Sequence, residues 1–282
     1  MPKAKHPIRR VLIALVVIAL IAIGGYAVYN AMRPRGATAG FGQTSIKDPT
    51  SAKAAGDSLL ATSGKTVVIS VAHPDDCEWY AGGTAISLAR NNNVILLMGT
   101  SGDKGAAGWP GVAAVREKLQ LETAKIAGYA DVIFLRHPDQ GLGQAAAYPG
   151  EVKAALEKYK PAVVLTFDTT DEAQGYRHVD HEAAGRTTAA AAKQLGDMTL
   201  YLFSSSAPDV IVDYGPVADT KAKAMSVIGN YRIVNPFYRY LLAPVLSLGS
   251  SAASSHLSFG MRSSFPAAGV SYGEVFRKVV EP

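Results

Sequence analysis

Five short runs of apolar, largely β-branched residues punctuate the middle of the chain: Thr66–Ala72, Val94–Gly99, Val132–Leu135, Ala162–Phe167 and Thr199–Phe203. A strand with one wet face alternates apolar and polar positions. Continuous runs bounded by turn residues therefore read as strands buried on both faces. Between them apolar residues recur at helical spacing over Gly82–Arg90, Gly111–Ala127, Pro149–Tyr159 and His181–Leu195. Strand and helix in alternation predict an α/β domain, a mainly parallel sheet in three layers. Beyond about Asp219 the pattern weakens, and only a C-terminal helical and loop region is assigned there. Ligands bind such sheets beyond the carboxyl ends of the strands. Residues that carry chemistry are therefore expected directly after a strand.

The N-terminus follows a different pattern. Val11 to Ile23 is an unbroken apolar run, VLIALVVIALIAI, and no charge occurs between Arg10 and Arg33. The uncharged stretch 11–32 is long enough to cross a hydrocarbon core of about 30 Å as a helix. It reads as a transmembrane anchor; the alternative is a cleaved signal peptide, against which no small-x-small site lies just after Ile23. Residues 1–10 form a basic tail with Lys3, Lys5, Arg9 and Arg10, against Arg33 and Arg35 on the far side. That bias predicts a cytoplasmic N-terminus and a single-pass protein whose catalytic domain is extracytoplasmic. Residues 33–64, rich in Gly, Ala, Ser and Thr, read as a linker, and 65–282 as the folded domain.

Charge sharpens this division. The chain carries +5 overall, but six of its 28 bases lie in residues 1–35, where there is no acid, leaving 22 bases against 23 acids. A domain near neutrality offers no case for nucleic-acid binding, which needs a basic face. With Cys77 the single cysteine, neither an intramolecular disulfide nor a cysteine-based metal cluster can form.

Two clusters carry candidate chemistry. Directly after the first predicted strand comes His73-Pro74-Asp75-Asp76-Cys77-Glu78. Adjacent carboxylates and an imidazole at the end of a buried strand are costly unless a counter-charge compensates them, and a divalent metal does so. His73 and Asp76 are ligand types that zinc accepts, while Asp75, facing the other way, is left as a base. Read alone, the same residues suit a helix N-terminus. The second cluster, Tyr176-Arg177-His178-Val179-Asp180-His181, follows the fourth strand. A third ligand from it completes a site with an open position for water, as in catalytic zinc centres. Asp180 is placed to accept from an imidazole and fix its tautomer. Read alone, it is a solvated helix start.

The AHPDD motif with Glu78 and Gly82-Gly83-Thr84, followed by an HxDH motif, resembles the LmbE-like/PIG-L family of zinc-dependent N-deacetylases. Thr100–Gly105 and Asp139-Gln140-Gly141-Leu142 are similar to that family's loops after the second and third strands. The resemblance runs from about Lys65 to Gly185. It implies a Rossmann-like fold, action on N-acylated glucosamine derivatives, and a Zn2+ ion or another divalent metal held by His73, Asp76 and His181. It further implies Asp75 as general base, Tyr176 and His178 as polarisers of the acyl oxygen, Asp180 orienting His178, and Arg116 and Asp139 holding the sugar. Two departures stand out: Val179 replaces the usual proline of the second motif, and Leu119 stands where a glutamate is common. The second puts that helix's acid-to-loop contact in doubt.

Other residues read more plainly. His137-Pro138-Asp139 repeats the first motif without its second carboxylate, and His137 reads as a loop residue. Cys77 reads as a small buried residue, and His6 and His256 as surface or structural. The stretch 231–248, interrupted by Pro236 and Pro244, reads as packed against the core or pocket wall and not as a second span. The expected substrate is an amino-sugar glycoside, a glycolipid or an envelope glycan. The alternatives are an amidase that cleaves a larger N-acyl or thiol-conjugated group and, in another class, a tethered non-catalytic carbohydrate-binding protein. A nucleotide-binding protein is disfavoured because HPDD stands where a glycine-rich phosphate loop belongs.

Overall fold

The computed structural model describes residues 46–105, 110–169, 178–229 and 264–279. The expected anchor at 11–32, Tyr176, the aromatic stretch 231–248, His6 and His256 lie outside them. Among the described residues no helix is long and apolar enough to cross a membrane.

The five apolar runs are strands: β1 (Thr66–Val71), β2 (Asn93–Thr100), β3 (Asp131–His137), β4 (Val163–Phe167) and β5 (Thr199–Phe203). All pair in parallel, β1 lying between β2 and β4 with Ile69 beside both Leu96 and Leu165. Val67, Ile69, Leu96 and Leu165 are fully buried, as unbroken apolar runs require. The crossover helices are α3 (Gly82–Ala89), α4 (Val112–Ala127), α5 (Tyr148–Tyr159) and α6 (Val179–Leu195). They follow the short helix α2 (Asp76–Tyr80) and the N-terminal α1 (Pro49–Leu60). The sheet order is β3-β2-β1-β4-β5-β7-β6, where β6 is Val210–Asp213 and β7 is Gly273–Val279. From β1 the chain winds outward to β3, then returns to β4 on the other side of β1. This reversal opens a crevice between the carboxyl ends of β1 and β4, the place where doubly wound sheets bind ligands.

Two regions depart from expectation. The second half of the supposed linker is α1. Pro49 opens it, and Asp48 caps it by accepting from the Thr50 and Ser51 amides, each at 3.1 Å. Its small residues serve close packing: Ala52 and Gly56 are buried, and a Cβ at Gly56 would collide with the Ile211 carbonyl oxygen. Gly56→Ala is therefore expected to destabilise the domain by about 1–3 kcal/mol, as overpacking does, despite alanine's better helix propensity. Thermal melting checks this; an unchanged or raised midpoint would show that α1 is not seated on this strand.

The C-terminal part is also more ordered than its pattern suggests. It contributes β6 (Val210–Asp213), α7 (Ala218–Ile228) and β7 (Gly273–Val279). β7 runs antiparallel between β5 and β6, with Phe203 beside Phe276 and Val210 beside Phe276.

Candidate metal centre

At the end of β1 the chain turns back on itself. Asp76 fixes the turn by accepting through Oδ2 from the amides of His73 (2.8 Å) and Ala72 (3.2 Å). Between them Asp75 takes a left-handed conformation, φ 106° and ψ −25°, of the kind that stores strain at functional sites. Two side chains one turn apart on α4 hold it there. Gln120 Oε1 accepts the Asp75 amide at 3.1 Å, and Arg116 places Nη2 3.2 Å from Asp75 Oδ1 while also donating to the Pro74 carbonyl. The Asp75 carboxylate is thus turned toward Arg116, and Asp76 faces the crevice.

Across the crevice α6 starts immediately after His178. Gly185 lets this helix lie against β4, since a Cβ there would meet the Phe167 carbonyl oxygen. His181 stacks on Phe167, ring centroids 4.0 Å apart, and His178 stacks on the other ring face at 4.0 Å. The two strand ends meet at Asp76, with Oδ1 3.1 Å from His181 Nε2 and Oδ2 3.4 Å from His73 Nδ1. The other ring nitrogen, His73 Nε2, lies 3.2 Å from Asp139 Oδ1 and 3.3 Å from Asp180 Oδ2.

The donor set fits a divalent cation. Asp76 and Asp139 are 4% exposed and Asp180 is 0% exposed, so three carboxylates surround one imidazole with no lysine or arginine ion-paired to any of the three among the described residues. Buried negative charge in such excess calls for a counter-ion. Asp76 turns a different oxygen to each imidazole, Oδ1 to His181 and Oδ2 to His73. Two sets of three donors each bring one atom per residue within 4.8 Å of the others: His73, His178 and His181, and His73, Asp139 and Asp180. Asp76 belongs to neither set, yet it touches both His73 and His181.

Protonation responds to the same charges. Burial, the largest influence on His73, lowers its pKa but is outweighed by Asp76, Asp139 and Asp180, which raise it well above 6.5. His178 is pushed down to about 4 by burial and by the neighbouring His181 and His73, so it is neutral at pH 7. A metal must displace the proton that this upward shift favours on His73. Metal affinity is expected to climb with pH, by up to about tenfold per pH unit for one displaced proton, until His73 titrates. The metal-free domain behaves oppositely, losing the stability His73 contributes as pH rises through its raised pKa. Chelator competition and melting at several pH values check both signs.

Residues 68–192 match the sequence model of the family described as PIG-L, GlcNAc-PI de-N-acetylase. This segment is a PIG-L, LmbE-like domain. The chain also resembles solved structures. One is the N,N'-diacetylchitobiose deacetylase of Pyrococcus horikoshii, at 22% identity and a TM-score of 0.54, covering 76% of this chain and 84% of that one. A conserved protein of Thermus thermophilus is 25% identical at a TM-score of 0.56, covering 77% and 94%. The 4-carboxy-2-hydroxymuconate hydratase of Pseudomonas putida is 18% identical at 0.57, covering 77% and 97%. No curated protein matches the chain.

Within this PIG-L domain the expected metal residues His73, Asp76 and His181 come together, with His178 beside them. Other expected residues sit differently. Asp180 has His73 as its imidazole contact, and it accepts the amides of Gln140 (2.6 Å) and Leu142 (3.0 Å). Arg116 and Asp139, expected on the sugar, are buried and bonded within the protein: Arg116 to Asp75 and the carbonyls of Pro74 and Gly102, Asp139 to His73 and the Lys104 amide. His137 pairs with Glu151. Cys77 is buried against the Tyr129 hydroxyl at 3.4 Å.

Leu119 costs α4 less than its departure suggests. Glu117 makes the acid-to-loop contact with Ser101 and is itself bonded by Arg136 at 2.9 and 3.0 Å. Gln120 is the residue that sequence reasoning missed. It ties the Asp75 amide to Glu78, donating to Glu78 Oε1 at 3.0 Å. Its place four residues after Arg116 was the available signal, since such pairs share a helix face. Burial raises the Glu78 pKa to about 7, with Asp75 and Asp76 adding to the shift and Gln120 opposing it.

Proposed function

We propose that this domain is a metal-dependent hydrolase that removes an acyl group, acetyl in the first instance, from the nitrogen of an N-acylated amino sugar. One observation carries the reading: Asp76 joins His73 and His181 across the β1–β4 crevice, while its neighbour Asp75 is held back from them by Gln120 and Arg116. A pure carbohydrate-binding protein has no use for a strained, separately held second carboxylate. The PIG-L match and the deacetylase among the neighbouring structures support the chemistry. The hydratase among those neighbours shows that the fold alone does not choose a reaction.

His73, Asp76 and His181 would hold the ion. Once bound, a divalent ion of this type lowers the pKa of water and polarises an acyl oxygen. Asp75 accepts a proton from the attacking water and passes it to the departing amine, the task of a single general acid–base group. His178, neutral at pH 7, stands beside His181 to face the acyl oxygen, with Tyr176 as its expected companion. The run at 11–32 anchors the chain, with the domain on the extracytoplasmic side and envelope glycans or glycolipids within reach.

The decisive measurement uses the full chain in detergent. After metal quantification it is incubated with N-acetylglucosamine and its oligomers, and acetate and free amine are followed. Stoichiometric zinc with amine release is the expected result. A metal-loaded protein that releases no amine from any N-acyl amino sugar sinks the reading.

A further inference from the structure

The loop after β3 is fastened to the metal centre from behind. His73 turns Nδ1 toward Asp76, 3.4 Å away, and so presents Nε2 on its opposite side, where the Asp139 and Asp180 carboxylates lie at 3.2 and 3.3 Å. A neutral imidazole that ligates through one nitrogen carries its proton on the other, and a carboxylate behind it fixes tautomer and ring orientation. Asp180 is anchored by the amides of Gln140 and Leu142. Asp139 is anchored by accepting the Lys104 amide through Oδ2 at 2.9 Å, while its own amide donates to Asp103 at 3.0 Å.

We infer that Asp139 is a positioning residue for the metal ligand His73, sharing that task with Asp180. Its buried carboxylate accepts the Lys104 amide through Oδ2 and faces His73 Nε2 through Oδ1, so it bridges the loop after β2 and the ligand. The ligand and the loops after β2 and β3 therefore form one unit. This inference rests on the metal-dependent reading above and specifies how the site is held.

The test compares the wild-type full chain with Asp139→Asn and His181→Ala in competition with a chromophoric zinc chelator, alongside KM at saturating zinc. Asp139→Asn is expected to weaken zinc binding about 10–100-fold, the usual effect of removing an outer carboxylate, and to leave KM for N-acetylglucosamine oligomers where it was. Wild-type zinc affinity with a raised KM would overturn the inference and return Asp139 to the sugar. Two zinc ions per chain would overturn it differently, by making His73, Asp139 and Asp180 a cation site of their own. If Asp139→Asn does not fold, Asp139→Glu loaded with cobalt gives the same reading. Its absorption bands shift if this carboxylate orients the imidazole, and unchanged bands overturn the idea. A wild-type chain that binds no zinc removes the proposed function itself, whereas equal binding by wild type and Asp139→Asn removes only the positioning role.

Discussion

Asp75→Ala is expected to retain its metal and lose turnover by about 10²–10⁴-fold, the range of general acid–base contributions, whereas His181→Ala loses the metal. The separation follows from the turn after β1. Asp76 is held by the His73 and Ala72 amides and faces the His73 and His181 rings, contacts that do not involve the Asp75 side chain. Removing the Asp75 carboxylate leaves those bonds intact but leaves Arg116 facing an emptied position. Alanine is also less comfortable than aspartate at φ 106°, since Asn and Asp tolerate positive φ better than other residues. Asp75→Asn is the better control, keeping the backbone preference while removing the base. Metal content by mass spectrometry, read beside acetate release, separates the two losses. Full activity in either Asp75 variant would end the assignment of the base.

The parts of the fold that were legible in the sequence share one physical feature. Strands β1, β2, β4 and β5 are buried on both faces or nearly so, as their unbroken apolar runs say directly, whereas β3, at the sheet edge, is only partly buried despite its apolar run. β7 is different: its residues Gly273–Val279 include Glu274, Arg277 and Lys278, and Glu274 and Arg277 enter the sheet because ion pairs neutralise them. Arg277 forks onto Asp168 at 2.6 and 2.8 Å, a partner more than a hundred positions away that no local pattern announces. Helix α1 was hidden for the opposite reason. Its small residues look like a flexible linker, but on a helix they permit close approach to β6.

At the site the positions were legible and the facings were not. Position after β1 and β4 put the two clusters that contain His73, Asp76 and His181 at neighbouring strand ends, because a parallel sheet brings its strand ends together. Which imidazole Asp180 addresses depends on how the loop after β3 folds over it, and sequence order does not contain that information. Arg116 shows the same limit: an arginine at the right position on the right helix faces Asp75 and two loop carbonyls instead of an open pocket.

A second large effect is expected far from the catalytic carboxylates. Lys221 on α7 is 1% exposed, and its Nζ lies 2.7 Å from Glu274 Oε1. Glu274 also accepts the amides of Gly83 and Thr84 at 2.8 Å each and the Thr84 hydroxyl at 2.7 Å, so it caps the first turn of α3. The carboxylate is favoured there by the positive end of that helix as well as by the ammonium. Lys221→Met strands the buried carboxylate and is expected to cost about 3–5 kcal/mol, a large share of the roughly 5–15 kcal/mol that holds a domain folded. Glu274→Gln removes the negative charge facing the buried Lys221 ammonium and is expected to cost a comparable amount. The double variant should lose less than the sum of the two, since each single change includes the penalty of the partner left behind. Denaturant midpoints for the three variants form the cycle. Because α3 begins six residues after Asp76, the singles are expected to loosen metal retention under partial denaturation while leaving zinc stoichiometry intact in buffer. Additive losses would mean that Lys221 and Glu274 stabilise the domain independently, and the α3 clamp would then rest on the backbone amides alone.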